Sequence, residues 1–382
     1  MTKVFLGDIV KRVKDRVDKN NTGLKYYVAG EHFDIGEITI SKKGVIQGST
    51  IGPAFQMRFR PGHVLLMSRN PHLRKAGVVN FEGICSDVSY VCETKNESIL
   101  KQSFLPFLFQ TDDFWTFAEA NKKGSTNFFL NWSDFERYEF NLPDIKEQEK
   151  LAELLWAAYD TKDSYKRLLV LTDDLVKSQF TEIFGDILTN PMGWPIVPLG
   201  EIANTRLGKM LDAKKQTGEF QYPYLANFNV QWFRFELSNL NQMDFTDKDR
   251  AEFSLQKGDL LVCEGGEVGR AAIWNEEIKD CYFQKALHRI RCKTEILTPE
   301  YLAYIIFMRA SHNGFEDIVG KSTIPHLTGE KLKKLEIMLP PINLQNQFAT
   351  FMQQTNRSKY ELQQTILTLE NTVRSLMKQY VG

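Results

Sequence analysis

Apolar residues recur at steps of three and four along two long stretches of this chain, and each stretch follows a Leu-Pro pair. Leu151, Leu154, Ala158, Thr161, Tyr165, Leu168, Thr172 and Leu175 form the first stripe. Phe348, Phe351, Thr355, Ser358, Leu362, Thr365, Leu369 and Thr372 form the second, and Ile366, Leu369, Val373, Leu376 and Tyr380 add another that reaches the last residues. This spacing lines one face of an α-helix, so it predicts long helices over 144–185 and 341–382. Pro143 and Pro340 suit the positions just ahead of a helix, and Gly185 suits a C-terminal cap. Each stripe persists for about 35 residues, about 50 Å at 1.5 Å per residue, which exceeds the width of a globule of about 140 residues. Two arrangements fit such stripes: each helix lying on its own globule, or the two pairing as an antiparallel coiled coil whose seam is broken by Thr and Ser. The length favours the pair.

Ahead of each helix the pattern changes to short β-forming runs bounded by Gly, Pro or polar residues. Val64–Met67, Ile84–Val91 and Leu260–Cys263 read as strands, and Tyr138–Phe140 and Leu335–Ile337 read as the strands that lead into the helices. Short helices are expected over Ile99–Ala120 and Pro299–Ala310. The two halves also echo each other. Leu142-Pro143-Asp144-Ile145 answers Leu339-Pro340-Pro341-Ile342, Leu6-Gly7-Asp8-Ile9 answers Leu199-Gly200-Glu201-Ile202, and Gly124-Ser125-Thr126 answers Lys321-Ser322-Thr323. A repeat of this length is far beyond the units of a solenoid. It describes a duplicated α+β globule followed by a helix: globules at 1–143 and 186–340, helices at 144–185 and 341–382. Three prolines, Pro191, Pro195 and Pro198, mark a linker into the second globule.

Bulk chemistry changes this picture little. A chain of 382 residues with 42% hydrophobic and 25% charged residues is ordinary for a folded protein of two or three domains. Net charge is zero, with 48 basic and 48 acidic residues, so any nucleic-acid contact must rest on local patches. Residues 1–140 carry 19 Lys and Arg against 16 Asp and Glu. The five cysteines lack paired CxxC spacing, which argues for a reducing cytoplasm and against a zinc site. No apolar run predicts a membrane span, and Asp8 comes too early for a secretory signal. Gly265-Gly266-Glu267-Val268-Gly269-Arg270 lacks the spacing of a dinucleotide or phosphate loop, no HExxH occurs, and Asn70-Pro71-His72-Leu73 reads as an Asn-Pro turn. Nothing local argues for catalysis.

Taken in order, the motifs carry a resemblance. The duplicated Leu-Pro-x-Ile helix starts at Leu142 and Leu339 are followed, after the first helix, by Phe184-Gly185-Asp186 and Thr189-Asn190-Pro191-Met192-Gly193-Trp194. Pro198-Leu199-Gly200-Glu201-Ile202 opens the second half, and Lys257-Gly258-Asp259-Leu260-Leu261 leads through Gly265–Trp274 to Gln284-Lys285-Ala286-Leu287-His288-Arg289-Ile290. In this order the chain resembles the specificity subunit of Type I restriction-modification systems, over essentially its whole length. Leu344 departs from the pattern, since the first repeat has Glu147 there. The resemblance implies a non-catalytic subunit: two target-recognition domains separated by a long antiparallel two-helix coiled coil with pseudo-two-fold symmetry. Each domain would read one half of a split, asymmetric site in double-stranded DNA, with half-site centres about 10–15 base pairs apart for helices of this length. It further implies two copies of a methyltransferase subunit on the helices and a nuclease/translocase subunit for restriction. No cofactor is implied for this chain; S-adenosylmethionine, ATP and Mg would belong to the partners. A different class, a coiled-coil adaptor with two protein-binding globules, fits the duplication but not the order of motifs.

Base edges are read by Arg or Lys at guanine and by Asn or Gln at adenine, with Ser and Thr as adaptable partners. In the first globule these types gather as Arg58, Arg60, Arg69, Asn70, Arg74 and Lys75, and again as Lys122, Lys123, Ser125, Thr126 and Asn127. The second offers Arg270, Gln284, Lys285, His288 and Arg289, then Lys321, Ser322, Thr323 and His326. The two Ser-Thr loops are favoured because they recur beside Lys at the same point of the repeat. Trp115, Trp132 and Trp232 read as core residues rather than stacking platforms.

Overall fold

The computed structural model describes residues 2–21, 23–212, 214, 216–312, 315 and 326–380. The chain divides into two compact units, residues 1–168 with 362–382 and residues 169–361. The fold is α+β, and the second unit repeats the first nearly element for element.

In the first unit a five-stranded sheet runs in the order Val10–Val13, Ser89–Thr94, Val64–Met67, Ala76–Val79, Thr39–Ile40. The second unit orders its counterparts alike: Ala203–Leu207, Leu287–Cys292, Leu260–Cys263, Ala271–Ile273. Each unit also has a parallel pair, Tyr27 with Ile84 and Tyr224 with Tyr282. A short antiparallel pair closes each globule, Thr2–Phe5 on Glu139–Leu142 and Ile196–Pro198 on Glu336–Met338. The closing strand delivers the chain to a long helix, Ile145–Phe184 or Ile342–Tyr380. Gly185 ends the first at φ 81°, a left-handed value that glycine takes without a Cβ penalty.

A buried glutamine anchors each helix start. Gln148 donates through Nε2 to the carbonyls of Ile99 and Pro143, both at 2.9 Å, and its Oε1 accepts from the Lys101 amide at 3.0 Å. Gln345 does the same with Ile296 (2.9 Å), Pro340 (2.8 Å) and the Thr298 amide (3.0 Å). Both side chains are fully buried, so these bonds are made away from competing water.

Within each unit the segments of the two long helices pack together. In the first unit Leu151 and Leu155 share a core with Met377, and buried Lys162 stands 3.4 Å from Glu37 and 3.9 Å from Glu370. In the second, Phe180 meets Phe348 at 5.3 Å between ring centroids, and Lys359 pairs with Asp173. Residue numbers rise along one helix as they fall along the other, so the packing is antiparallel in both units.

Three expectations about elements need correction. Leu151 is buried as expected, but beyond it the seam of the first long helix lies one residue past the expected stripe: Leu155, Lys162, Val176 and Phe180 are buried, whereas Leu154, Leu168 and Leu175 are 49%, 45% and 53% exposed. Apolar residues stand on more than one face of this helix, and lysine can bury its aliphatic stem, so spacing alone chose the wrong line. The run Ile84–Val91 is two strands, Gly83–Ser86 and Ser89–Thr94, divided at Asp87-Val88. The stretch Ile99–Ala120 holds two helices, Leu105–Leu108 and Asp112–Ala120; Thr111 caps the second by accepting from the Phe114 amide.

Candidate nucleic-acid interface

Two of the sequence clusters in the first unit become one surface. Ser68–Lys75 connects two adjacent strands and is closed at its base by the Met67 amide donating to Lys75 O at 2.9 Å. Inside it Pro71–Leu73 forms a 3-10 turn flanked by Asn70 at φ 52° and Arg74 at φ 49°. Left-handed backbone is tolerated by asparagine but strained for arginine. Lys123–Phe129 forms a second hairpin, joined by reciprocal backbone bonds of 2.8 and 3.0 Å. Gly124 sits at φ 93°, and a Cβ there would fall 2.6 Å from Asn127 O, so the tip demands glycine. The hairpin is stitched to the first loop by the Asn70 amide on Phe128 O and the Leu130 amide on Ser68 O, each 2.9 Å.

The shared surface exposes Arg69, Ser125, Thr126 and Asn127, with Asn70 half-buried beside them. Lys122 lies over the Phe128 ring at 4.4 Å. Arg69 has no acidic partner among the described residues, so its guanidinium is available to a ligand. Lys123 is committed inward: Nζ lies 2.8 Å from Asp134, whose side chain is 3% exposed and also holds Arg137. Burial alone would raise the Asp134 pKa, but the Lys123 hydrogen bond, the Asn131 amide and the two cations outweigh it and hold it below the usual value. Its stabilising contribution is therefore full above about pH 4, the ordinary carboxylate range, and is lost as pH falls through the depressed native value. Amide exchange in 123–129 is expected to accelerate under acid before the rest of the unit opens, and Asp134→Ala should produce the same acceleration at neutral pH. Unchanged protection in both cases would show that the ion pair does not anchor the hairpin.

The remaining candidates of this unit are engaged elsewhere. Arg74 pairs with Asp112, and Lys75 donates to Gly30 O at 2.6 Å. Arg58 and Arg60 belong to the sheet containing Phe55–Phe59 and its margin, where Glu82 and Asp15 hold them. Sequence reasoning missed a cationic patch on that sheet: Lys43 lies 4.2 Å from the Tyr26 ring centroid and 4.4 Å from that of Phe81, and Lys25 lies 5.3 Å from Tyr26. The run Lys25-Tyr26-Tyr27, a cation beside two aromatics, is the available signal. Exposed His72, in the 3-10 turn itself, was read only as part of a turn.

The second unit reuses the scaffold with different side chains. Glu264–Arg270 replaces Ser68–Lys75, closed by the Cys263 amide on Arg270 O at 2.9 Å, and the Leu327 amide meets Glu264 O at 2.8 Å where Leu130 meets Ser68. Arg270 donates to Asn227 O at 2.8 Å, the task Lys75 performs on Gly30. Arg289 donates to Ser254 O at 2.5 Å and lies over Phe283. His288 is 1% exposed, with neither ring nitrogen bonded among the described residues. Burial lowers its pKa, with Glu264 and the Leu327 backbone opposing. Lys285 and His326 are exposed and Gln284 is half-buried. Lys321, Ser322 and Thr323 lie outside the described residues.

Trp115 is buried, while Trp132 and Trp232 are partly buried against the cores. All five cysteines are free thiols. Among the described residues no group of His, Cys, Asp and Glu is arranged to hold a metal ion, and no helix is long and apolar enough to cross a membrane.

Residues 191–371 match the family described as Type I restriction modification DNA specificity domain. A curated relative, the Type I restriction enzyme MjaIX specificity subunit of Methanocaldococcus jannaschii, is 25% identical over 171 residues, 44% of this chain and 39% of its own. The chain thus matches about two-fifths of that relative's length. Among solved structures, the Type I restriction-modification S subunit from M. genitalium is 12% identical, with a TM-score of 0.63 over 100% of this chain and 96% of that one. A chain from work on "complex assembly and conformational transition of the type I R-M system" is 19% identical, with a TM-score of 0.60 over 99% and 97%. At such identities these two establish the fold alone. Residues 191–371 thus match a Type I restriction modification DNA specificity domain, and the chain as a whole is similar in fold to solved chains of that system.

Proposed function

We propose that the chain is a non-catalytic DNA-specificity subunit in which each globule reads one half of a bipartite, asymmetric site in double-stranded DNA. The observation that carries this reading is the reuse of one loop scaffold with unlike chemistry. Ser68–Lys75 presents Arg69, Asn70 and His72, whereas Glu264–Arg270 presents Glu264, Gly265, Gly266 and Glu267. A common frame with different donors and acceptors is what two different half-sites require. Neutral net charge is consistent with DNA attraction shared with partner subunits.

The long helices set the spacer and dock two methyltransferase subunits, and a nuclease/translocase subunit joins for restriction. S-adenosylmethionine, ATP and Mg then belong to those partners. Exposed leucines support the docking role: Leu171 and Leu175 are 61% and 53% exposed on the helix in the second unit, a patch that a partner would cover. Leu171→Glu with Leu175→Glu is expected to weaken methyltransferase binding at least about tenfold while leaving the melting temperature within a few degrees. Native mass spectrometry of the complex measures the first and calorimetry the second; full assembly of the double variant would remove the helix face from the interface. The functional reading itself is tested by mapping methylated adenines in cells with and without the chain. A bipartite motif should vanish on deletion, and an unchanged methylome contradicts the proposal.

A further inference from the structure

One turn differs between the repeats in a way that opens a groove in the first unit. After a matched 3-10 turn, Gly30–His32 or Asn227–Asn229, the chain reverses through Ile35-Gly36 in the first unit and Trp232-Phe233 in the second. The turns correspond closely: the Ala29 amide donates to His32 Nδ1 and the Ala226 amide to Asn229 Oδ1, both at 2.9 Å. Gly36 and Phe233 both have left-handed backbone, φ 79° and 62°. Phenylalanine is strained there, and its ring is packed. Phe233 stacks on Tyr304 at 5.9 Å and meets Phe307 at 5.2 Å, and Tyr304 passes the contact to Phe180 and Phe348 of the long helices. Trp232 adds an edge contact to Phe307 at 5.1 Å. In the second unit, therefore, an aromatic pair seals the turn to the helices.

The first unit has no aromatic seal among its described residues; Glu37 ties the turn to the long helix through Lys162 and Lys166 instead. Nothing lies within 4 Å of where a Cβ of Gly36 would stand, and Ile35 is 68% exposed. A groove of about 1000 Å³ remains, lined by Trp115, Tyr159, Val373 and Met377, with Arg374 and Lys378 on its helical rim. Both cations are exposed and have no acidic partner among the described residues. Asp112, Asp113, Lys162 and Glu370 also line it; Asp112 is taken by Arg74, and Glu370 stands 3.9 Å from Lys162.

We infer that this groove seats an aromatic side chain of a protein partner, with a neighbouring carboxylate of that partner meeting Arg374 and Lys378. The repeat supplies the template for the aromatic, and the unpaired cations supply the charge complement. The second unit fills the same space itself, so the two halves of the chain are not equivalent to their partners. Taking the methyltransferase subunit as that partner rests on the proposed function; the groove's own chemistry does not.

The test has two arms. N-acetyl-tryptophan, an aromatic ring with a carboxylate, is titrated into the full chain and followed by saturation-transfer NMR. Binding on the order of 1 mM, the range for a ligand of this size, is expected for the wild type, several-fold weaker for N-acetyl-tryptophanamide, and lost in Gly36→Phe. Because that substitution strains the backbone, Arg374→Glu with Lys378→Glu serves as the second variant and should weaken the acid at least about fivefold without changing the melting temperature. No binding at 10-fold above that range (about 10 mM), or equal binding by wild type and both variants, overturns the inference. In the second arm the methyltransferase subunit is titrated into the same proteins, and one of two binding events should weaken about tenfold in both variants. Two unaltered events overturn the inference, whereas no assembly with the wild type overturns the functional reading and leaves the seat to be decided by the first arm.

Discussion

Replacing Gln148 with leucine is expected to destabilise the first unit by roughly 3 kcal/mol, because it strips partners from three backbone groups in or near the interior. The Lys101 amide and the carbonyls of Ile99 and Pro143 all depend on that one side chain. Leucine has similar bulk, so lost packing contributes little and the loss measures unsatisfied polarity. Gln345→Leu should cost about as much in the second unit, where Thr298, Ile296 and Pro340 lose the same bonds. Denaturant unfolding gives the magnitude and native-state hydrogen exchange the place: Gln148→Leu should deprotect amides near 101–120 and spare those of Pro299–Ser311. A loss under about 1 kcal/mol would mean that water takes the glutamine's place.

The pair of glutamines also marks what was legible in the chain. Its repeat was plain because duplicated Leu-Pro steps and helical stripes survive as local patterns, and the helices begin and end within two residues of expectation. What the glutamines do was not legible, since two of the three partners of each lie 47 to 49 residues upstream. The same limit explains the helix seam. Leu154, Leu168 and Leu175 are as apolar as Leu155 and Val176, and only the surface packed against them decides which row is buried. Lys162 reads as a solvent residue, yet Glu37 and Glu370 converge on it and the Tyr159 ring lies 4.6 Å from its ammonium.

Among the candidate contacts, composition picked out residues that the fold gathers but not what each is engaged with. Arg69, Asn70 and the 122–127 loop stand together because backbone bonds join segments about 60 residues apart, which spacing cannot reveal. Lys75 and Arg270 carried equal weight as cations, but both are spent on matching carbonyls at the heads of the 3-10 turns. His288 is the sharpest case. Its place in the Gln284–Ile290 motif follows from strand alternation, which turns it inward opposite Val262 and Leu207.

Removing the ligand-facing groups of one surface should separate the two readers. Arg69→Ala, Lys122→Ala and Asn127→Ala together are expected to weaken binding to the cognate site by about 100-fold or more, at about 1–3 kcal/mol for each good base contact and less for a phosphate. Among the described residues none of the three supports the fold through a side-chain bond beyond the Lys122 contact with Phe128, so the melting temperature should barely move. The decisive readout is positional. In duplexes where one half-site at a time is scrambled, the variant should lose discrimination at one half and keep it at the other, because the proposed second reader would rest on the Glu264–Arg270 loop of its own unit. Salt dependence divides the loss further: if Lys122 meets a phosphate, its removal lowers the slope of affinity against salt by about one unit, while removal of a neutral base contact leaves it unchanged. Equal loss at both halves would mean that this surface grips DNA without reading it, and no loss at all would move the reader to the Lys25, Lys43 and Tyr26 patch on the neighbouring sheet.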